Sequence, residues 1–146
     1  MIATFAAHEN ADVRFRVSRA LGCYPRAPQS VEALERLMDD SDRDVRDWAI
    51  FGIGVQCDAD SDQLRDSFVR HLDDPFLDAR IEAVAALAKR RDARAVEPLI
   101  RMFRIYGALN GLIEAAQSLL EVDEDPPSWS EKEYIGALED QFPKAR

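Results

Sequence analysis

The sequence predicts an all-α fold, an α-α superhelix of about four helical hairpins closed by a C-terminal cap helix. Three observations predict it. One short motif recurs at a spacing of 32 and then 34 residues. Apolar residues within each unit follow the i, i+4, i+7, i+8 spacing of one helix face. No segment of four to eight residues alternates like a strand.

The motif reads Asp12-Val13-Arg14…Ala20-Leu21-Gly22, then Asp44-Val45-Arg46…Gly52-Ile53-Gly54, then Asp78-Ala79-Arg80…Ala86-Leu87-Ala88. In each copy the aliphatic residue lies seven positions after the arginine, with small residues six and eight after it. Asp40 and Asp74 each stand six residues before an arginine, and His8 occupies the equivalent place in the first copy. Adding another period brings Ala115, Ala116 and Leu119 to the places of Ala83, Val84 and Leu87. In that last copy Leu112 replaces the arginine and Tyr106 the aspartate, so both members of the pair are lost together. This is the pattern expected if the paired Asp and Arg bond to each other or serve one inter-repeat ladder made of Arg14, Asp40, Arg46, Asp74 and Arg80. A repeat period of this length is the mark of a stacked array.

Residues 1–8 read as the tail of a first helix. The second helix of each unit carries Val13-Val17-Ala20-Leu21, Val45-Ala49-Gly52-Ile53 or Ala79-Ala83-Ala86-Leu87. The first helices carry Val31-Leu34-Leu37, Leu64-Phe68-Leu72 and Val96-Leu99-Phe103. Pro25 and Pro28 break the first junction and Asp58-Ala59-Asp60-Ser61 the second. Asp74-Pro75 reads as a cap followed by proline at the first helical position. Pro98 predicts either a kink or a helix that starts near Glu97. The units fall at about 1–24, 27–57, 61–90 and 93–122. An acidic, proline-containing linker follows at 123–129, and a capping helix and tail at 130–146. There Ser130 and Glu133 have capping-box spacing, and Trp129 and Tyr134 are placed as a hydrophobic staple.

These residues resemble the short HEAT-like repeats described around phycobilisome lyases, through Asp40, Val45, Arg46, Ala49, Ile53, Gly54 and their counterparts over about residues 1–122. Gly52 and Ala79 depart from the usual Ala and Val. The resemblance implies a right-handed solenoid whose second helices line the concave face. It places Phe15, Arg16, Arg19, Asp47, Trp48, Phe51, Ile81 and Glu82 on or near that face as a partner-binding surface. Trp48 and Phe51 can instead fill inter-repeat space.

Composition bounds the function. The chain has 146 residues, 47% hydrophobic and 32% charged, with a net charge of −9. That suits one folded domain with a row of small cores, and no apolar stretch reaches the ~18 residues of a membrane span. The acidity is uneven: residues 105–146 hold nine acidic and three basic side chains. The net charge argues against nucleic acid and anionic membranes as partners, although Lys89, Arg90, Arg91, Arg94, Arg101 and Arg104 form a basic run. That run reads first as a solvated face. Cys23 and Cys57 read as reduced, buried thiols of a cytoplasmic protein.

Asp39, Asp40, Asp42 and Asp44, like Asp73, Asp74 and Asp78, read as helix-capping turns rather than cation sites. His8 and His71 have no metal-ligand spacing. No catalytic residue, cofactor or metal is expected. The reading is a non-catalytic protein–protein interaction scaffold or adaptor, a monomer whose partner is another protein. The alternatives are an enzyme-associated subunit of lyase type and a DNA-binding, glycosylase-like repeat protein. A toxin-neutralising protein ranks third.

Overall fold

The computed structural model describes residues 1–24, 27–122 and 128–144. Their regular structure is helical throughout. A 3-10 helix at Ile2–Ala7 precedes α1 (Ala11–Cys23), α2 (Pro28–Leu37), α3 (Arg43–Gly54) and α4 (Asp62–Arg70). Then come α5 (Leu77–Lys89), α6 (Val96–Tyr106), α7 (Asn110–Leu120) and α8 (Glu131–Gln141). Short 3-10 turns at His71–Asp73 and Ala93–Ala95 lead into α5 and α6. The chain forms an all-α solenoid.

Helices α2, α4 and α6 pair with α3, α5 and α7. The second helices also pack on one another, α1 on α3, α3 on α5 and α5 on α7, whereas α2 and α4, like α4 and α6, hardly meet. A row of helices held closer than its companion row lies on the inside of the curve, so α1, α3, α5 and α7 are the inner helices.

The small residues of the motif make this close spacing. A Cβ on Gly52 would lie 2.8 Å from the Gly22 Cα, and one on Gly54 would lie 2.5 Å from the Ala86 Cβ. The residue eight after one arginine therefore meets the residue six after the next. Gly52, a departure in the sequence pattern, is the partner of Gly22.

Buried apolar side chains run as one continuous strip from Val17 to Leu138, through Leu34, Ile53, Phe68, Leu87, Phe103 and Leu112. The separate small cores expected from the repeats are thus merged, because each inner helix contributes to the hairpins on both sides. Helix α8 covers the last hairpin: Tyr134 and Leu138 are buried, and Tyr134 stacks on Phe103 with ring centres 5.8 Å apart. Its capping box is formed, the Ser130 N–H donating to Glu133 at 2.6 Å, and Trp129 packs on Tyr134 at 5.2 Å.

Some local expectations hold and others are corrected. The helix read at residues 1–8 is present as a 3-10 helix at Ile2–Ala7. Helix α5 starts at Leu77 after Phe76, so Pro75 lies outside it; Asp74 instead accepts the Phe76 N–H at 2.9 Å and shapes the turn. The helix start expected near Glu97 is borne out: α6 begins at Val96, which places Pro98 in its first turn, where no intrahelical N–H is needed. Both cysteines are free, but Cys23 is exposed while Cys57 is buried. Pro25 and the acidic linker positions 123–127 lie outside the described residues. No described helix is long and apolar enough to cross a membrane.

Candidate functional site

The inter-repeat ladder frames the inner face. Arg14 donates through Nε and Nη2 to both oxygens of Asp40, at 2.7 and 2.9 Å, and through Nη1 to the His8 carbonyl at 2.8 Å. Arg46 repeats this with Asp74, at 2.8 and 2.9 Å, and with the Asp40 carbonyl at 3.0 Å. The carboxylate therefore comes from the following unit and the carbonyl from the arginine's own unit. Each ladder position also closes its own turn: Asp40 accepts the Asp42 N–H, Asp74 the Phe76 N–H, and His8 Nδ1 the Asn10 N–H. Asp42, not Asp40, caps α3, accepting from Asp44 and Val45.

Burial alone would raise the Asp40 and Asp74 carboxyls. The hydrogen bonds from Arg14 and the Asp42 N–H hold Asp40 below the usual carboxylate range. Those from Arg46, Phe76 and His71 draw Asp74 down to about 2. Charge-assisted bidentate pairs favour the ionised form in this way.

The residues one, two and five positions after each ladder arginine lie along the inner helices α1, α3 and α5. On α1 and α3 these form an aromatic cluster. Phe15 meets Trp48 edge-on at 6.3 Å, and Trp48 meets Phe51 edge-on at 5.6 Å. The exposed Arg19 sets its guanidinium 4.9 Å from the Trp48 ring centre and 5.8 Å from that of Phe15. All three rings are half-buried, so they close the seam between two units and still present apolar surface. Arg16 is exposed on the same face.

Toward α5 and α7 the face turns acidic. Asp47 is half-buried, and its Oδ1 has no hydrogen-bond partner among the described residues. Burial, reinforced by Asp78, Asp44 and Asp74, pushes its carboxyl up to about 6. Burial beside Asp47, Glu114 and Asp78 pushes Glu82 up to about 7. Glu114 was missed in the sequence, although it lies one period of 32 residues after Glu82. Ile81 is half-buried and packs against α7, where a Cβ on Gly111 would lie 2.6 Å from its Cγ2.

The basic run is a solvated face except at Arg90. Arg90 is a buried structural cation, its side chain 4% exposed. Lys89 pairs with Asp58, Arg91 with Glu121, Arg94 with Asp66 and Asp92, and Arg104 with Glu139. Arg101 alone of the run has no carboxylate partner among the described residues, and a surface whose other cations are matched in this way offers little to a phosphate backbone.

The HEAT-repeat model matches residues 32–119. The chain belongs to the HEAT-repeat family. It is also similar to Protein YibA of Escherichia coli K12 and of Escherichia coli O157:H7, 34% identical over 90 residues in each. That match takes in 62% of this chain and 32% of each relative, so the chain spans about a third of the length of the curated relatives it matches. The X-ray structure of the Escherichia coli YibA protein superposes with a TM-score of 0.59 at 22% identity, over 99% of this chain and 67% of that one. This likeness shows the HEAT solenoid fold. HEAT arrays stack repeats into extended surfaces of rigid elements.

Proposed function

We propose that this HEAT-repeat chain is a non-catalytic scaffold that takes a partner protein on the face made by α1, α3, α5 and α7. The observation that carries the reading is the row Phe15, Trp48 and Phe51, crossing a repeat seam with Arg19 stacked on it. Aromatic and arginine side chains are enriched in binding hot spots, and a rigid ring buries much area at little entropic cost. Half-buried rings on packed helices are also held in place before any partner arrives. The pairing of Lys89, Arg91, Arg94 and Arg104 weighs against the DNA-binding alternative.

A photo-crosslinking amino acid at position 16, on this face, is compared with one at Gln63 on the outer helix α4. The expected outcome is one discrete adduct at position 16 and none at position 63. The partner identified from it should lose affinity for Arg16→Glu and Trp48→Ala, while the thermal midpoint of Arg16→Glu stays unchanged. Equal crosslinking at both positions, or specific capture of labelled duplex DNA at low salt, would overturn the reading.

A further inference from the structure

The arginine ladder stops one step before the repeats do. Arg80 keeps the anchor of its predecessors, its Nη1 donating to the Asp74 carbonyl at 3.0 Å as Arg46 Nη1 does to that of Asp40. Its guanidinium is therefore held in the same register. At the position of the next carboxylate the chain supplies Tyr106, whose hydroxyl accepts one N–H, from Nη2 at 2.8 Å. Among the described residues Arg80 Nε has no acceptor and the side chain has no carboxylate partner. Arg14 and Arg46 each have both.

The broken step opens on a pocket of about 220 Å³. Arg80 and Tyr106 line it with Arg101, which also lacks a carboxylate partner among the described residues, and with Leu72, Pro98 and Met102. Asp73 lines it too, so two guanidinium groups face one carboxylate. Ile105, 69% exposed, adds apolar surface at the rim.

The geometry points to a docking slot for an acidic side chain of a partner protein, with Arg80 and Arg101 clasping the carboxylate and Leu72, Pro98 and Met102 receiving its apolar neighbour. The chain itself provides the template, since Asp40 and Asp74 fill the two equivalent steps. The apolar lining and Asp73 favour a monoanionic carboxylate over a phosphate dianion. The slot rests on different residues from the aromatic face and stands independently of it.

The test uses the full chain and the capped peptide acetyl-Leu-Asp-Leu-amide, with its Asn counterpart and inorganic phosphate as comparisons. The ¹⁵N–¹H resonance of Arg80 Nε is followed. Hydrogen bonds to charged groups contribute about 1.5–3 kcal/mol, so the Asp peptide should bind about tenfold or more tightly than the Asn peptide. Arg101→Gln should weaken it several-fold. Tyr106→Asp completes the ladder in cis and should raise the thermal midpoint while abolishing peptide binding; Tyr106→Phe should keep binding. If Tyr106→Asp fails to fold, Arg80→Lys, which keeps the charge without the fork, should abolish binding instead. The slot is refuted by an unmoved Arg80 resonance at millimolar Asp peptide, by equal binding of the Asn peptide or of phosphate, or by full binding in folded Tyr106→Asp.

Discussion

Arg46 grips Asp74 across a repeat boundary by two parallel hydrogen bonds, Nε to Oδ2 at 2.8 Å and Nη2 to Oδ1 at 2.9 Å. The Asp74 side chain is 3% exposed and that of Arg46 13%. Removing one partner of a buried pair leaves the other charge without compensation and costs about 3–5 kcal/mol. Asp74→Asn and Arg46→Gln are therefore expected to lose stability in that range by urea denaturation. Arg80→Gln loses its bonds to the Tyr106 hydroxyl and the Asp74 carbonyl but strands no carboxylate, and should cost less, about 1–3 kcal/mol. Equal losses at Arg46 and Arg80 would show that the carboxylate step is not what stabilises the boundary.

Two sets of carboxylates impose opposite pH dependences. Asp74 at about 2, and Asp40 below its ordinary value, bind protons less tightly folded than unfolded. Their contribution is present above about pH 4 and is lost as pH falls toward 2. Asp47 at about 6 and Glu82 at about 7 bind protons more tightly when folded. Their contribution is complete below about pH 4 and is lost as pH rises through 6 and 7. The thermal midpoint should peak near pH 4–5 and decline on both sides. Glu82→Gln should flatten the decline between about pH 5 and 7, and a wild-type midpoint that is level over that interval would contradict the assignment.

The inner helices approach closely because Gly54 faces Ala86. A Cβ at Gly54 falls 2.5 Å from that of Ala86 and 3.4 Å from Phe68 Cε1. Alanine at a helical glycine normally gains about 1 kcal/mol. Here overpacking should reverse the sign, and Gly54→Ala should destabilise by about 1–3 kcal/mol. Adding Ala86→Gly should recover most of the loss, a coupling that a double-mutant cycle measures. Gly136, with nothing within 4 Å of its Cβ position, is the control, and Gly136→Ala should stabilise.

The repeat period made the architecture legible, since Val45, Ala49 and Ile53 recur with their counterparts at fixed offsets and each set makes one buried helix face. It also marked the ladder residues. It did not say which Asp meets which Arg, because a separation of six within a unit is as plausible in sequence as 26 or 28 across a boundary; only the stacking of the units decides that. Gly52 looked like a departure because its reason, Gly22, lies in another repeat. The aromatic positions were marked by their register, but the edge-on contacts of Trp48 depend on how α1 sits against α3. Arg90 was hidden for the same reason. Beside Lys89 and Arg91 it reads as one cation of a solvated run, and nothing local shows that the carbonyl ends of α3 converge on it.

Arg90 is the clearest case of a charge used as structure. Nη1 donates to the Gly54 and Ala86 carbonyls at 2.7 and 2.9 Å, and Nη2 to those of Ile53 and Ala59 at 3.1 and 2.6 Å. Nε also reaches Ala59, at 3.0 Å, and the guanidinium lies 4.9 Å from the Phe68 ring centre. One side chain thus satisfies carbonyls at the end of α3, in the loop before α4 and on α5. Arg90→Ala would strand several of them at about 1–3 kcal/mol each, so a loss of at least about 3 kcal/mol is expected. Arg90→Lys should recover little, because an ammonium lacks the planar fork that spans these acceptors. Arg91→Ala, which removes an exposed pair with Glu121, should stay within about 1 kcal/mol. Amide exchange should quicken across residues 55–61 in Arg90→Ala and not in Arg91→Ala. If both variants unfold at the same urea concentration as the parent, the carbonyl cluster does not anchor the loop and the repeat boundary is held by the Arg46–Asp74 pair and the Gly54–Ala86 seam.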